Sequence, residues 1–286
     1  MTAIATSIFT GISTAALLFL VGSGMTLIFG AMRVINVAHG SLYMLGAYLL
    51  YEFAVDAGLP VAVAVPLAAI AVFLIAVIIE RGVIRFTYGK EHLIQLLATY
   101  ALTLVIADLA LIIWGTSSKS VDTPLKGGWG FGGATFPAYS TLVIVIAVCV
   151  GLLLWLVLAR TRVGWMIRAS SENPSTLAAM GYNVSRLNMM IFGIGGALAG
   201  LGGAIYAPMG SVAPGIDNSV LVNAFVVAVV GGLGSVAGAA VVALVIGILQ
   251  GIVLVVFPEL NSSLVYLIMI ISLAIRPWGL FGRPER

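Results

Sequence analysis

One stretch, Ser171-Glu172-Asn173-Pro174-Ser175-Thr176-Leu177-Ala178-Ala179-Met180-Gly181, lies in a polar segment, residues 160–186, that separates long apolar runs. Asn173 is suited to cap a helix, because its side-chain oxygen can accept from the free N–H groups of the first turn. Pro174 suits the first helical position, and Gly181 can end the helix in a left-handed conformation. The stretch therefore predicts a short exposed helix over residues 174–180. The alternative is a connecting loop in which the capping pattern is incidental.

The composition indicates the class of protein. The chain has 286 residues, of which 62% are hydrophobic and 8% are charged, whereas about a quarter of a soluble domain is charged. Several apolar runs in this chain are long enough to cross a hydrocarbon core, which is about 30 Å thick. They occupy residues 7–31, 35–55, 61–79, 93–114, 138–159, 188–208, 236–257 and 262–276, and a shorter run occupies 220–230. We predict an all-α polytopic membrane protein with a bundle of eight or nine transmembrane helices and broken or re-entrant segments. Residues 1–286 form a single transmembrane domain with a cytoplasmic loop at about 160–187.

The basic residues predict the orientation, because loops rich in Lys and Arg stay in the cytoplasm. If the N-terminus is outside, only Lys119 and Lys126 of the 13 basic residues lie outside. The other eleven then face the cytoplasm: Arg33, Arg81, Arg85, Lys90, Arg160, Arg162, Arg168, Arg186, Arg276, Arg283 and Arg286. We therefore expect an outside N-terminus and a cytoplasmic C-terminus. The net charge of +3 reflects this topology, so nucleic acid is not an expected partner.

Polar residues interrupt the apolar sequence near its start, where Asn36, His39, Gly40 and Ser41 follow one another closely. Polar groups at membrane depth are costly unless they face protein or a wet cavity, so this interruption is a candidate for a translocation path. In a helix, Asn36 and His39 would share one face. The alternative is that both side chains only form hydrogen bonds between helices.

A second interruption is rich in glycine and contains Gly231, Gly232, Gly234 and Ser235. Glycines allow a helix to break or two helices to approach closely, and transporters use both. The two interruptions are loosely alike, which suggests an internal repeat with paired broken helices, although their spacings differ. The small residues of the run 195–203, spaced four apart, predict instead a helix-packing face.

The sequence contains none of the motifs of nucleotide hydrolysis, zinc binding or serine hydrolysis that we sought. It lacks a Gly-Lys-Ser/Thr phosphate loop and a Gly-x-Ser-x-Gly turn, and His39 and His92 have no spacing suited to a metal. We expect no catalytic residues, no metal and no cofactor. Asp108 is the acidic residue placed well inside an apolar run, whereas Asp217 is placed in an outer connection.

Motifs along nearly the whole chain resemble one family. They are Gly24-Met25-Thr26-Leu27-Ile28-Phe29-Gly30, Arg33-Val34-Ile35-Asn36-Val37-Ala38-His39-Gly40-Ser41-Leu42, Gly164-Trp165-Met166-Ile167-Arg168-Ala169, Gly231-Gly232-Leu233-Gly234-Ser235 and Arg276-Pro277-Trp278-Gly279-Leu280-Phe281-Gly282. In this order they resemble the LivH-type permeases of branched-chain amino-acid ABC importers.

The resemblance implies a subunit of the bacterial inner membrane that pairs with a LivM-like second permease. Two cytoplasmic ABC ATPases would use the ATP, and a periplasmic binding protein would deliver the solute. The predicted short helix would be the coupling helix that sits in an ATPase groove. The coupling residues implied are Arg168, Glu172, Asn173, Pro174, Ala178 and Gly181.

The function predicted is ATP-driven uptake of branched-chain amino acids or a related small polar solute. Related permeases carry other amino acids, urea, short amides and some aromatic or dicarboxylic acids, and the binding protein does most of the selecting. The alternative is a stand-alone channel or secondary carrier, with an intramembrane enzyme a more distant possibility.

Overall fold

The computed structural model describes residues 2–131 and 134–282. Its helices are α1 (Thr2–Met32), α2 (His39–Tyr51), α3 (Val61–Gly82), α4 (His92–Trp114), α5 (Ala138–Arg160), α6 (Arg162–Glu172), α7 (Pro174–Ala179), α8 (Val184–Tyr206), α9 (Ile216–Gly231), α10 (Val236–Val256) and α11 (Asn261–Ile275). A π-helical turn, Glu52–Asp56, extends α2, and 3-10 turns occupy Ile84–Thr87 and Pro258–Leu260. Between α4 and α5, strands β1 (Gly128–Phe131) and β2 (Ala134–Pro137) form an antiparallel hairpin.

Six of these helices, α1, α3, α4, α5, α8 and α10, are long and apolar enough to cross a membrane. The predicted class, a helical polytopic membrane protein, is confirmed. Helices α2, α9 and α11 have 13, 16 and 15 residues, whereas a straight helix needs about 20 to cross the hydrocarbon core. The predicted count of eight or nine spans is therefore not confirmed.

Helix α8 lies centrally, packed against α1, α2 and α3. Its glycines allow this close approach. A Cβ on Gly196 would come within 2.6 Å of the Cβ of Ala76, and a Cβ on Gly200 would come equally close to Val72. Side chains larger than hydrogen at these positions would separate α8 from α3, so the predicted packing face is confirmed. Between membrane helices such close contacts supply much of the attraction.

Helix α1 packs against α10 and α9 in the same way. The backbone of Gly11 lies against that of Gly247 in α10. A Cβ on Gly22 would come within 2.5 Å of Val227 in α9. Near the end of α1, a Cβ on Gly30 would come equally close to the Cα of Gly234, which follows α9. These contacts along its length hold α1 between both neighbours.

Several of the basic segments meet at one end of the bundle. The guanidinium of Arg33, just after α1, donates to the carbonyl oxygen of Ser171 in α6 at 3.4 Å. Arg81, in the last turn of α3, places Nε 3.0 Å from Sδ of Met189 in α8. The end of α1 therefore lies beside α6 and the end of α3 beside the first turns of α8. Arg283 and Arg286 lie outside the described residues.

A buried polar contact ties α3 to the connection that follows it. Tyr88 donates from its hydroxyl to Oε1 of the buried Glu80 at 2.6 Å. Burial and this hydrogen bond raise the pKa of Tyr88, so the phenol stays protonated and remains a donor. The amide of Gln95 in α4 donates to the carbonyl oxygen of Thr87 at 3.2 Å. The connection between α3 and α4 is thus held by buried side chains at both ends.

Candidate translocation path and coupling surface

The chain turns back into the bundle after α1. Residues 33–38, here called the first break, are not helical, and Arg33 has a positive φ of 53°. His39, the first residue of α2, places Nε2 2.9 Å from the carbonyl oxygen of Val21. Val21 precedes Met32 by eleven residues, about 16 Å of helix, so α2 begins well inside the bundle. The first break and α2 together therefore form a broken segment whose first part is not helical.

Two polar side chains of the first interruption are buried without full hydrogen bonding. Neither amide atom of Asn36 has a hydrogen-bond partner among the described residues, and Nδ1 of His39 has none. Leaving a buried donor or acceptor unpaired costs about 1–3 kcal/mol. Asn36 precedes α2, so the prediction that Asn36 and His39 share a helix face is wrong. A turn separates them, in which the N–H of His39 donates to the carbonyl oxygen of Asn36 at 3.3 Å.

Gly40 and Ser41 bring α2 against the start of α9. A Cβ on Gly40 would collide with the carbonyl oxygen of Asp217, and Ser41 donates to Oδ2 of Asp217 at 3.3 Å. Asp217 is only 3% exposed, and its Oδ1 has no partner among the described residues. The sequence placed this carboxylate in an outer connection, but it lies in the first turn of α9 in contact with α2. Its position between Gly215 and an apolar run was the available signal, since acidic residues favour helix N-termini.

The glycine-rich interruption forms a second break, residues 232–235, between α9 and α10. Gly231 ends α9, and Gly232 and Gly234 have φ values of 97° and 93°, which residues with a Cβ rarely adopt. Ser235 then caps α10 by accepting from the N–H of Gly238 at 3.0 Å. Glycine is required here by the backbone conformation as well as by space.

The two breaks border one small cavity of about 90 Å³. The first break contributes Asn36 and the second contributes Leu233. The remaining lining residues are apolar: Met25, Phe29, Val34, Ile35 and Phe225. The structure therefore joins Asn36 to the second break. His39, Gly40 and Ser41 lie apart from this cavity, against Val21 and Asp217.

The predicted short helix is present and capped at both ends. Oδ1 of Asn173 accepts from the backbone N–H groups of Ser175 and Thr176, both at 3.1 Å. At the other end Gly181 has a φ of 87° and donates to the carbonyl oxygen of Ala178 at 2.9 Å, and Tyr182 donates to that of Leu177 at 3.3 Å. This pair of bonds is a Schellman ending. Helix α7 ends at Ala179, one residue earlier than predicted.

Helix α7 rests on the bundle through one side chain and exposes the rest. Leu177 is buried and packs with Leu27 and Ala31 of α1. Met180 is 59% exposed, and the exposed rings of Trp165 and Tyr182 meet edge to face at 5.9 Å. We call exposed α7 with Trp165, Met180 and Tyr182 the coupling surface. An apolar surface of this kind at a polar loop is typical of a protein contact.

Two further residues implied by the resemblance lie in α6, which the sequence had not separated from the loop. Arg168 donates from Nη1 to the carbonyl oxygen of Leu158 at the end of α5, so it ties the two helices together. Glu172 is the exposed last residue of α6. Among the described residues, no group of three or more His, Cys, Asp or Glu side chains comes together as a metal site requires.

Comparisons with known proteins agree over almost the full chain. A family model described as "Branched-chain amino acid transport system / permease component" matches residues 7–273. The permease protein BraD of a high-affinity branched-chain amino acid transport system in Pseudomonas aeruginosa is 28% identical over an alignment of 290 positions. The alignment covers 96% of this chain and 94% of that protein. LivH of the corresponding system in Escherichia coli is 26% identical, over 97% of this chain and 95% of its own.

A third relative gives a similar result. The probable branched-chain amino acid transport permease LivH of Methanocaldococcus jannaschii is 31% identical over 93% of this chain and 89% of its own length. No solved structure matches significantly. The match to the family model covers both breaks, the coupling surface, five of the six long helices in full and α1 from residue 7 onward. The chain therefore belongs to the family of permease components of branched-chain amino acid transport systems.

Proposed function

We propose that this protein is the inner-membrane permease subunit of an ATP-driven ABC importer for branched-chain amino acids or a related small polar solute. The relatives named above are permeases of branched-chain amino acid transport systems. The subunit has no enzymatic activity of its own and binds no cofactor. It pairs with a LivM-like permease, two cytoplasmic ATPases use the ATP, and a periplasmic binding protein supplies the solute.

The observation that carries the proposal is the coupling surface. A helix of six residues has little stability in water, yet α7 has complete caps and one buried anchor, Leu177. Its remaining residues are exposed, so it is held ready for a partner. We assign that partner as a groove on the ATPase, with Asn173, Pro174, Ala178 and Gly181 shaping the helix.

Two contacts supply a route from the coupling surface to the breaks. Leu177 packs on α1, and the carbonyl oxygen of Ser171 accepts from Arg33, the first residue of the first break. Arg33 occupies a left-handed conformation that costs about 1–2 kcal/mol. A shift of α6 and α7 on ATP binding would therefore act directly on a strained residue at the start of the first break. Arg168 holds α6 against the end of α5 for this, and we assign the exposed Glu172 to the contact with the ATPase.

The path follows the two breaks. Solute passes at the interface with the second permease, beside Asn36, His39, Gly40 and Ser41 of the first interruption and Gly231, Gly232, Gly234 and Ser235 of the second. The cavity between them has apolar walls and one amide, Asn36, a combination suited to a small solute with an apolar side chain and a polar head. During alternating access, the two broken segments then change their positions relative to each other.

The proposed topology has a periplasmic N-terminus and a cytoplasmic C-terminus. Helices α2, α9 and α11 add to the six long helices, and α2 and α9 each cover part of the membrane thickness. This gives nine membrane helices, the higher of the two numbers expected from the sequence. The coupling surface then faces the cytoplasm, where the ATPases lie.

Reconstituted vesicles test the function. We expect uptake of radiolabelled leucine only when this chain, the second permease, both ATPases, ATP and the binding protein are present together. Omitting ATP is the control. Flux through vesicles that contain this chain alone would overturn the proposal in favour of a channel or carrier. Uptake of another solute from the cognate binding protein would change the substrate and leave the importer mechanism in place.

A further inference from the structure

A second cavity lies between α9, α10, α11 and the chain that follows α11, near the second break. Its volume is about 280 Å³. Eight aliphatic residues form most of its wall, among them Val230, Ile246, Ile268 and Leu280. An apolar cavity of this kind does not hold water well. A small polar solute is equally unsuited to it.

Two polar residues stand at one end of this cavity. Ser272 lines it with a buried hydroxyl that has no hydrogen-bond partner among the described residues. Arg276, four residues later, caps α11 and also lines the cavity. The two are one helical turn apart on the same face. The cavity is therefore apolar along its length and has a cation and a hydroxyl donor at one end.

The position of the cavity relates it to the membrane. Ile271 and Ile275, which line the cavity, are 57% and 73% exposed, so the cavity is open on this side. Val230 is the penultimate residue of α9, whose end lies beside the end of α1. Arg276 thus lies at the end of the bundle that carries the coupling surface. That end meets the headgroups of the cytoplasmic leaflet in the topology proposed.

We propose that this cavity, with Arg276, binds an anionic phospholipid. One acyl chain occupies the aliphatic cavity, the phosphate meets the guanidinium of Arg276, and the hydroxyl of Ser272 donates to a headgroup or ester oxygen. The pattern of an apolar slot with a basic end at headgroup depth matches the chemistry of such a lipid. Arginine suits phosphate because its planar group can donate two parallel hydrogen bonds.

The bound lipid would also act on the second break. After Arg276, the chain returns to α9: Leu280 donates to the carbonyl oxygen of Val230 at 2.8 Å, and Phe281 to that of Gly231 at 3.3 Å. A Cβ on Gly279 would come within 2.7 Å of the N atom of Gly232. The segment that begins with Arg276 therefore braces the second break. A lipid that holds Arg276 and fills the cavity stabilises this arrangement. This last consequence rests on the proposed transport function, whereas the lipid site does not.

Native mass spectrometry of the purified complex tests the site without ATP or solute. The probes are phosphatidylglycerol and phosphatidylcholine with identical chains. One arginine near the membrane surface contributes about 1 kcal/mol toward anionic lipid, or about fivefold in affinity. We expect Arg276→Gln to lose about fivefold in affinity for phosphatidylglycerol and little for phosphatidylcholine. Arg276→Lys should keep most of the preference, and Arg85→Gln, at an exposed arginine outside the cavity, should change neither.

A second variant separates loss of the site from loss of folding. Val245 lines the cavity and is partly exposed, while the neighbouring Leu244 is equally exposed but does not line it. Val245→Phe should fill the cavity and weaken binding of both lipids, whereas Leu244→Phe should not. Equal lipid retention by Arg276→Gln and Arg85→Gln, or by the two phenylalanine variants, would overturn the proposal. So would the absence of retained phosphatidylglycerol in the wild-type complex, as expected if the second permease covers the cavity.

Discussion

Gly181→Val alters the residue that ends α7, and the structure gives the size of the effect. The φ of Gly181 is +87°, and an added Cβ would meet no atom within 4 Å. The valine is therefore strained by its backbone and not by a collision. The left-handed conformation costs a residue with a Cβ about 1–2 kcal/mol. This lowers the population of the native helix end about 5- to 30-fold.

The loss affects the coupling surface directly. Two hydrogen bonds close the helix, from Gly181 to Ala178 and from Tyr182 to Leu177, and both depend on the left-handed residue. A short helix that loses its ending frays or tilts, which moves the exposed Met180. In reconstituted vesicles we expect uptake and solute-stimulated ATP hydrolysis to fall together, by at least about fivefold. Alternatively, the ATPases are lost during purification. Membrane insertion and the affinity of the binding protein for its solute should not change.

Two control variants distinguish the helix ending from general strain. Gly181→Asn should stay near wild type, because asparagine tolerates the left-handed conformation. Gly58→Val imposes the same kind of strain, since Gly58 has a φ of +69° with no atom within 4 Å of an added Cβ. It lies between α2 and α3 and should leave ATPase coupling intact. If Gly181→Val keeps wild-type uptake and ATPase copurification, Gly181 does not end a helix at the coupling interface.

Three further tests, with five substitutions, address other parts of the structure. In intact cells, Asp122→Cys should react with an impermeant thiol reagent and Arg162→Cys should not; labelling of Arg162→Cys from outside would reverse the topology. Asn36→Leu and His39→Leu should lower the maximal rate of uptake more than the apparent affinity, because the binding protein sets the affinity. Full transport in both variants would show that the two side chains serve only helix packing. Tyr88→Phe removes a hydrogen-bond donor from the buried carboxylate of Glu80 and should destabilise the protein by about 1–3 kcal/mol. The thermal unfolding midpoint in detergent at neutral pH should fall. An unchanged midpoint would contradict the importance of this contact.

The parts of the structure that follow from local sequence could be predicted. Asn173 and Gly181 define α7 because capping depends on residues within one turn of the helix end. The glycines of α8 predicted a packing face because a missing side chain allows close approach wherever the helix lies. Composition was sufficient for the membrane class.

The parts that depend on distant contacts could not be predicted. The start of α2 at His39 is accompanied by a contact with Val21 on another helix, so the shared face expected for Asn36 and His39 did not form. Asp217 resembled an outer residue because it follows a Gly- and Pro-containing segment. Its burial results from α2 packing against α9, and no local pattern contains that information. The hairpin of β1 and β2 was missed because its local signal is weak. Strands of four residues give almost no periodic pattern.

Helix α1 explains how one small surface could act on two separate breaks. Its last turns pack on Leu177 of α7, the first break begins at its end, and Gly30 lies against Gly234 of the second break. Because close-packed helices have no free space to absorb a displacement, movement of α1 must be shared by its neighbours. In the proposed mechanism, a force applied to α7 therefore reaches both breaks through the same helix. The flexible elements are then the strained Arg33 and the glycines of the second break. The tight glycine contacts between α1 and α10 hold these two helices together. In the proposed mechanism the backbone therefore changes at the breaks before the packing of α1 on α10 does.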